Sequence, residues 1–338
     1  MNNFVCDLRS DTVTQPCEIM RQIMANAPVG DAMFGEDPSV NELEKEVCSY
    51  FGFEHGLFVP SGTMSNQIAI GVHTNPGETI ISEESSHFYL YESGATSALS
   101  GASFETLPDL EGDNFKHKVR PKSPHHSKTS LMIYENTHNE KGGDARDESQ
   151  TRLAIENADK FNLKKHLDGA RIWNAASALS VEENTLTKGF DSASVCFSKG
   201  LGAPMGSMLL INGATEFEKA AHLRKRFGGA MRQVGILASG ALYAFQNNRQ
   251  RLKEDFQKRV EMQTFLQSEG FEFKKINRPT NMLYFKHAKY NSEVLHKKLL
   301  ENGIGCFLLS EDYIRFVFHK DITSESLKAC VDKVKLSL

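Results

Sequence analysis

Six short apolar runs recur between residues 56 and 211, at 56–59, 78–82, 131–134, 165–167, 194–197 and 207–211, most of them separated by helix-length amphipathic stretches. Strands joined by connections of that length are not hairpins. The chain must cross over between them, and right-handed crossovers lay the strands parallel in one sheet with helices on its faces. An α/β fold with a largely parallel sheet is therefore expected. Upstream, Leu43, Val47, Cys48 and Phe51 fall on one face of a predicted helix over 39–51, which begins after Asp37-Pro38 and stops at Gly52.

The texture changes near residue 240. A long polar helix pattern over 247–269 leads into strand-like runs at 271–275, 281–286 and 313–318, with helices at 291–302 and from 323. This predicts two units: residues 1–245 with the large sheet, and residues 246–338 as a smaller α+β unit, which the amino-terminal segment is positioned to join. A length of 338 residues suits one large domain with a smaller companion. A net charge of −4 gives no basis for binding nucleic acid or a membrane surface. No apolar run approaches a membrane span, and the amino terminus has neither a basic nor an apolar leader region. Six scattered cysteines without a paired spacing read as free thiols, so a cytoplasmic protein is expected.

Chemistry-bearing residues fall at the ends of the strand-like runs. Lys199 follows the run 194–197 and is followed by Gly-Leu-Gly, which leaves room for a flat ring, although a lysine in a glycine-rich turn also reads as a surface residue. Asp168 ends another run. It is suited to holding a pyridine nitrogen protonated, or to forming a turn with Arg171. Lysine, carboxylate and arginine together are the minimum set of a pyridoxal phosphate (PLP) enzyme acting on an amino acid. Residues 60–66, Pro-Ser-Gly-Thr-Met-Ser-Asn, join an apolar run to a helix pattern and so make an anion site for a phosphate, with Ser61 or Thr63 as the helix cap. His87 and His138 also follow runs. His87 is a candidate for stacking on an aromatic cofactor and His138 for acid–base work, although a lone histidine in either place is more often structural. Zinc spacings, a Walker A loop and the dinucleotide glycine fingerprint are absent, and His125-His126 reads as a solvated turn, so no metal is expected.

Seven motifs, in order, resemble the low-specificity L-threonine aldolases: 7–14, 29–38, 58–64, 135–139, 166–171, 198–207 and 228–233, with a weaker match at 313–319. The resemblance implies the PLP-dependent, aspartate aminotransferase-like fold (fold type I) with a mostly parallel seven-stranded sheet. It implies retro-aldol cleavage of L-threonine, L-allo-threonine and related β-hydroxy-α-amino acids to glycine and an aldehyde. The alternative is another PLP lyase of that fold, acting on phenylserine or eliminating a β-substituent. Lys199 would carry the cofactor, Asp168 would bind its ring nitrogen and His87 would stack on the ring. Gly62 and Thr63 would hold its phosphate, with Arg171 and Arg232 also on the cofactor's side. Ser10, Arg171 and Arg315 would clamp the substrate carboxylate, and His138 would lie near the β-hydroxyl. A homotetramer, a dimer of dimers with shared active sites, is implied, Arg232 lying in a segment near the subunit interface. Phe34 departs from the family's usual tyrosine, the region 108–128 is shortened, and 144–150 is unusually polar.

Overall fold

The structure, a computed structural model, describes residues 4–309 and 312–338, so the first three residues of the amino-terminal stretch read above lie outside it. Seven strands, β1 (His55–Val59), β2 (Thr79–Glu83), β3 (Ser103–Leu107), β4 (Thr129–Glu135), β5 (Lys164–Gly169), β6 (Ser192–Cys196) and β7 (Ser207–Ile211), form one sheet in the order β1-β7-β6-β5-β4-β2-β3. Strand β7 alone runs antiparallel to its neighbours, and the other four pairings are parallel. The expected mostly parallel sheet is present. The apolar-run reading misses β3, an edge strand only half buried along most of its length; with little apolar surface to hide, it leaves no continuous run. By contrast β2, β4, β6 and β7 are buried at every residue.

Helices cover both faces. Pro38–Phe51 is capped by Asp37, whose Oδ1 accepts from the N–H groups of Ser39 and Val40, and is closed by Gly52 in the left-handed region (φ 74°). It packs with the helices Ile172–Leu179 and Gly235–Asn247 in the main core, where Trp173 meets Phe51, Phe197 and Phe245. Over β1 and β7 the helices Gly62–His73 and Ala214–Arg226 close a second layer.

A separate core lies in the carboxy-terminal part. The strands β8 (Phe271–Phe273), β9 (Met282–His287), β10 (Phe307–Leu308) and β11 (Ile314–Val317) form an antiparallel sheet in the order β10-β11-β9-β8. Helices Leu252–Ser268, Ser292–Glu301 and Ser324–Ser337 contribute to its core. The amino terminus joins this unit: Cys6–Asp7 pairs in parallel with Ile304–Gly305, Val317 N–H donates to the Leu8 carbonyl, and Cys6 and Leu8 enter its core. Residues 9–14 are thereby led toward the large sheet, where the Thr14 hydroxyl donates to the Lys199 carbonyl.

The polar helix expected over 247–269 starts later, at Leu252, after the preceding helix has ended at Asn247. The side chains in the break serve the Lys199 turn instead. Asn248 donates to the Leu201 carbonyl and Arg251 to that of Gly200. No helix among the described residues is long and apolar enough to cross a membrane, and all six cysteines are free.

Candidate active site

Parallel strands of an open sheet present their carboxyl ends on one edge, and the site is assembled there. Strand β1 runs into Ser61-Gly62-Thr63, β2 leads to His87, β4 ends at Glu135, β5 carries Asp168, and β6 delivers Lys199 two residues after Phe197. Adjacent register sets Glu135 beside Asp168 and Asp168 beside Ser194.

The cradle is the first turn of the helix Gly62–His73. Ser61 is its cap, the Oγ accepting from Met64 N–H at 3.2 Å. The N–H groups of Gly62 and Thr63 stand in that turn, where no intrahelical partner exists, and the helix dipole favours an anion. Gly62 is required by close approach: a Cβ there would sit 2.9 Å from Cys196 Sγ, against the end of β6. Edge strand β1 is steadied at the root of this turn. Glu44 accepts from Phe58 N–H at 2.8 Å and Arg224 donates to the Phe58 carbonyl at 3.0 Å. Burial pushes the Glu44 carboxyl up to about 7, against the opposing Phe58 N–H and Arg224.

Asp168 is buried, yet among the described residues no lysine or arginine pairs with it. Its Oδ2 accepts from Asn66 Nδ2 at 2.8 Å and its Oδ1 from Ala170 N–H at 3.1 Å. Asn66 Nδ2 also donates to Glu92 Oε1 at 3.0 Å, and Gln67 donates to Glu92 Oε2 at 2.7 Å. Two carboxylates cannot donate to an amide, so they orient Asn66, and its Oδ1 faces His166 Nε2 at 3.2 Å. That ring is neutral, burial holding its titration down at about 3. Glu92 Oε1 lies 3.4 Å from His87 Nδ1. His87, Glu92 and Asp168 place potential ligand atoms within 4.8 Å of one another, but the amide N–H groups of Asn66 already occupy lone pairs of both acids. Lys199 makes no ion pair among the described residues, although its charge is felt at both His87 and Asp11.

Arg171 is not free to swing. Its Nε and Nη2 donate to the two oxygens of Asp11 at 2.9 and 2.7 Å, a buried bidentate pair, and Nη1 reaches Asn139 Oδ1 at 3.3 Å. This replaces the turn between Asp168 and Arg171 that the sequence allowed. Burial alone would raise the Asp11 carboxyl, but Arg171, with Lys199 and His319, brings it down to about 2. Arg315 rises from β11, donates to the Arg9 carbonyl at 3.1 Å and keeps a buried Nε that has no hydrogen-bond partner among the described residues. Tyr284, raised by burial against the pull of Arg315 and Arg171, donates to the Asn139 carbonyl at 3.1 Å. Ser10 caps the turn Asp11–Val13 beside them.

Two expected residues lie elsewhere. His138 is fully buried, its Nε2 3.0 Å from Glu83 in a cluster with Arg146 and Lys141. Burial, which lowers its titration, is outweighed by Glu135 and Glu83. Arg232 is exposed and pairs with Asp31 at 2.7 Å, in the segment that also exposes Phe34. Asp11, Asn66, Glu92 and Tyr284 were given no role from the sequence. Asn66 alone left a signal, standing four residues after Gly62 on the same helix face.

The family model described as beta-eliminating lyase matches residues 7–288. Low-specificity L-threonine aldolase 1 of Arabidopsis thaliana is 37% identical, covering 98% of this chain and 97% of its own length. The low specificity L-threonine aldolase of Escherichia coli (strain K12) is 36% identical over 95% of this chain and 96% of its own. Among solved structures, threonine aldolase of Leishmania major superposes with a TM-score of 0.83 at 18% identity, covering 98% of each chain, a likeness of fold.

Proposed function

The chain belongs to the beta-eliminating lyase family, among the low-specificity L-threonine aldolases, and from that premise we propose that it is a PLP-dependent aldehyde lyase. Its reaction is cleavage of L-threonine, L-allo-threonine and related β-hydroxy-α-amino acids to glycine and an aldehyde. The observation that carries this reading is the pairing of a buried Asp168, served only by neutral donors, with a Lys199 that has no ion-pair partner among the described residues. A buried carboxylate without a cation suits a protonated ring nitrogen, and an unpaired lysine suits covalent attachment of an aldehyde cofactor. Gly62 and Thr63 fit its phosphate, and His87 fits a place against its ring.

When bound, the cofactor supplies a sink for the electron pair left by the breaking Cα–Cβ bond. The protein's own residues do the rest. Arg171, fixed by Asp11, would hold the substrate carboxylate with Arg315 and Ser10 and so restrict how the substrate turns about its N–Cα bond. The β-hydroxyl proton is received on the His87 side of the groove, at Nε2 or at a water bound there, because His138 is sealed behind Glu83 and Glu135. Asp168 would hold the cofactor's ring nitrogen in its protonated form, and a proton returned to Cα would complete glycine. Arg232, exposed beside Phe34, completes the site of a neighbouring subunit in a homotetramer, whose contacts would cover Val29, Phe34 and Ile236. The free thiols suit the cytoplasm.

The test is acetaldehyde and glycine release from L-threonine and L-allo-threonine by the PLP-loaded protein, with Lys199→Ala beside it. Release abolished by the substitution is expected. Pyruvate and ammonia in place of glycine would make the enzyme a β-eliminating lyase, and full activity in Lys199→Ala would overturn the assignment.

A further inference from the structure

The Glu92 side chain is wholly buried, and among the described residues the nearest group able to carry positive charge beside it is His87, at 3.4 Å from Nδ1. Its other contacts are neutral amides: Asn66 on Oε1 and Gln67 on Oε2. An ionised carboxylate buried among neutral donors is expensive unless it does work that a neutral residue cannot. The His87 backbone is pinned from the other side, its N–H donating to Glu135 Oε2 at 2.7 Å. The His87 ring is over a third exposed although Nδ1 meets a sealed carboxylate, so the exposed edge is the one that carries Nε2.

We propose that Glu92 is the positioning residue of the site, holding the proton of His87 on Nδ1 and presenting Nε2 to the substrate groove. A buried carboxylate that fixes the tautomer of a working histidine is a recurrent device of acid–base catalysis. The inference rests on the function proposed above for the role of His87, but the Glu92–His87 link is measurable without it. Asn66 extends the link, since one amide nitrogen spans Glu92 and Asp168. The partner of the imidazole and the partner of the ring nitrogen are thereby held in one frame. Four ionisable groups act on His87: Glu92 raises its titration most, Asp168 and Glu135 add to this, and Lys199 and burial oppose it.

The experiment is the titration of the His87 imidazole by NMR in the PLP-loaded protein, together with the pH profile of kcat/KM, for wild type, Glu92→Gln and Glu92→Asp. Glutamine keeps an oxygen for Asn66 and removes the charge; its amide nitrogen takes the place of Oε2, where a flipped Gln67 can present its unpartnered Oε1. In wild type His87 should titrate above about 6.5, the ordinary value for histidine. In Glu92→Gln it should titrate about 1 pH unit lower. The sign follows from which form works: activity is lost as pH falls and His87 protonates, so the acidic limb in Glu92→Gln should move about 1 pH unit down with the imidazole. Glu92→Asp should restore part of both shifts. An unmoved imidazole and an unmoved limb, with only PLP affinity or stability reduced, would overturn the proposal and leave Glu92 a structural carboxylate. A wild-type His87 titrating at or below 6.5 would overturn it without any variant. If the imidazole shifts in a protein that releases no glycine, the positioning link stands and the aldolase reading falls.

Discussion

Asp11→Asn should destabilise the protein by an amount that the geometry sets and that acid then erases. Asp11 has no exposed surface, and Arg171 spends two of its donors on it, at 2.9 and 2.7 Å. The carboxyl titrates near 2 in place of its ordinary 3.8, despite burial that pulls the other way. At about 1.36 kcal/mol per pH unit, the ionised form is favoured in the fold by about 2 kcal/mol. Because the folded value is depressed, this stability is fully present above pH 4 and is lost as pH falls toward 2. Asparagine is nearly isosteric with the protonated acid, so the substitution imposes at pH 7 the loss that wild type suffers only near pH 2. The chain's one tryptophan, Trp173, is buried two residues after Arg171 and reports the unfolding of this region by fluorescence. Urea unfolding of the cofactor-free proteins, which removes ligand linkage, should show a gap of about 2 kcal/mol at pH 7 that is unchanged at pH 5 and narrows below pH 4. Equal midpoints at pH 7, or a gap that persists unchanged at pH 3, would refute the reasoning. Asp11→Ala should cost more, about 3–5 kcal/mol, because it strands a buried guanidinium.

Two further predictions concern the cradle. Gly62→Ala would drive a methyl to 2.9 Å from Cys196 Sγ, so the thiol or the helix start must shift; PLP affinity, read by absorbance titration, should weaken roughly tenfold or more, with a stability loss of about 1–3 kcal/mol. Glu44 carries a raised value, so its contribution has the opposite sign to that of Asp11: it is fully present below the ordinary 4.5 and lost as pH rises through about 7. Glu44→Gln keeps an acceptor for Phe58 N–H, and its stability relative to wild type should increase between pH 5 and 8. The increase is at most about 3 kcal/mol, since the side chain retains 22% exposure, and thermal unfolding at the two pH values checks it.

Strands buried on both faces were legible where nothing charged interrupts them; β6 and β7 carry only small serines among their apolar residues. The edge strand β3 alternates Ser103, Glu105 and Thr106 with larger residues and so reads as loop. Cys6–Asp7 was illegible for another reason. Two residues cannot carry a period, and their partner lies some three hundred positions along the chain. In the site, residues at strand ends and turns could be found because position and residue type coincide there, as at Gly62, Asp168 and Lys199. Their supports could not. Asp11 sits in a polar run where any of several acids might face Arg171, and nothing near Glu92 announces that it turns inward toward Asn66. His138 satisfied the same positional rule as Asp168, yet Glu83 from the neighbouring strand closes over it.

The charges at these strand ends are sorted in a way that the residue list alone would not show. Among the described residues, the carboxylates buried around the carboxyl edge of the sheet include Asp11, Glu83, Glu92, Glu135 and Asp168. Arginine or lysine goes to two of them, Arg171 to Asp11, and Arg146 with Lys141 to Glu83. Glu83 is held near 2 by His138 and these cations against the pull of burial, and Glu135 is pushed up by burial and by Asp168 while accepting the His87 and Asn139 N–H groups. Asp168 and Glu92 receive only amides among the described residues, and one of those amides is shared. Buried anions left without fixed cations are stabilised only when a cation arrives. The three left without lysine or arginine all act on His87: Glu92 at its Nδ1, Glu135 at its backbone N–H, and Asp168 within reach of its charge. Permanent cations are thus spent on the frame. Among the rest, Glu92 and Asp168 are the acids that an imidazolium or a protonated ring nitrogen can satisfy, which is why the groove between Lys199 and His87, and not the Glu83 cluster, is where the reacting atoms belong.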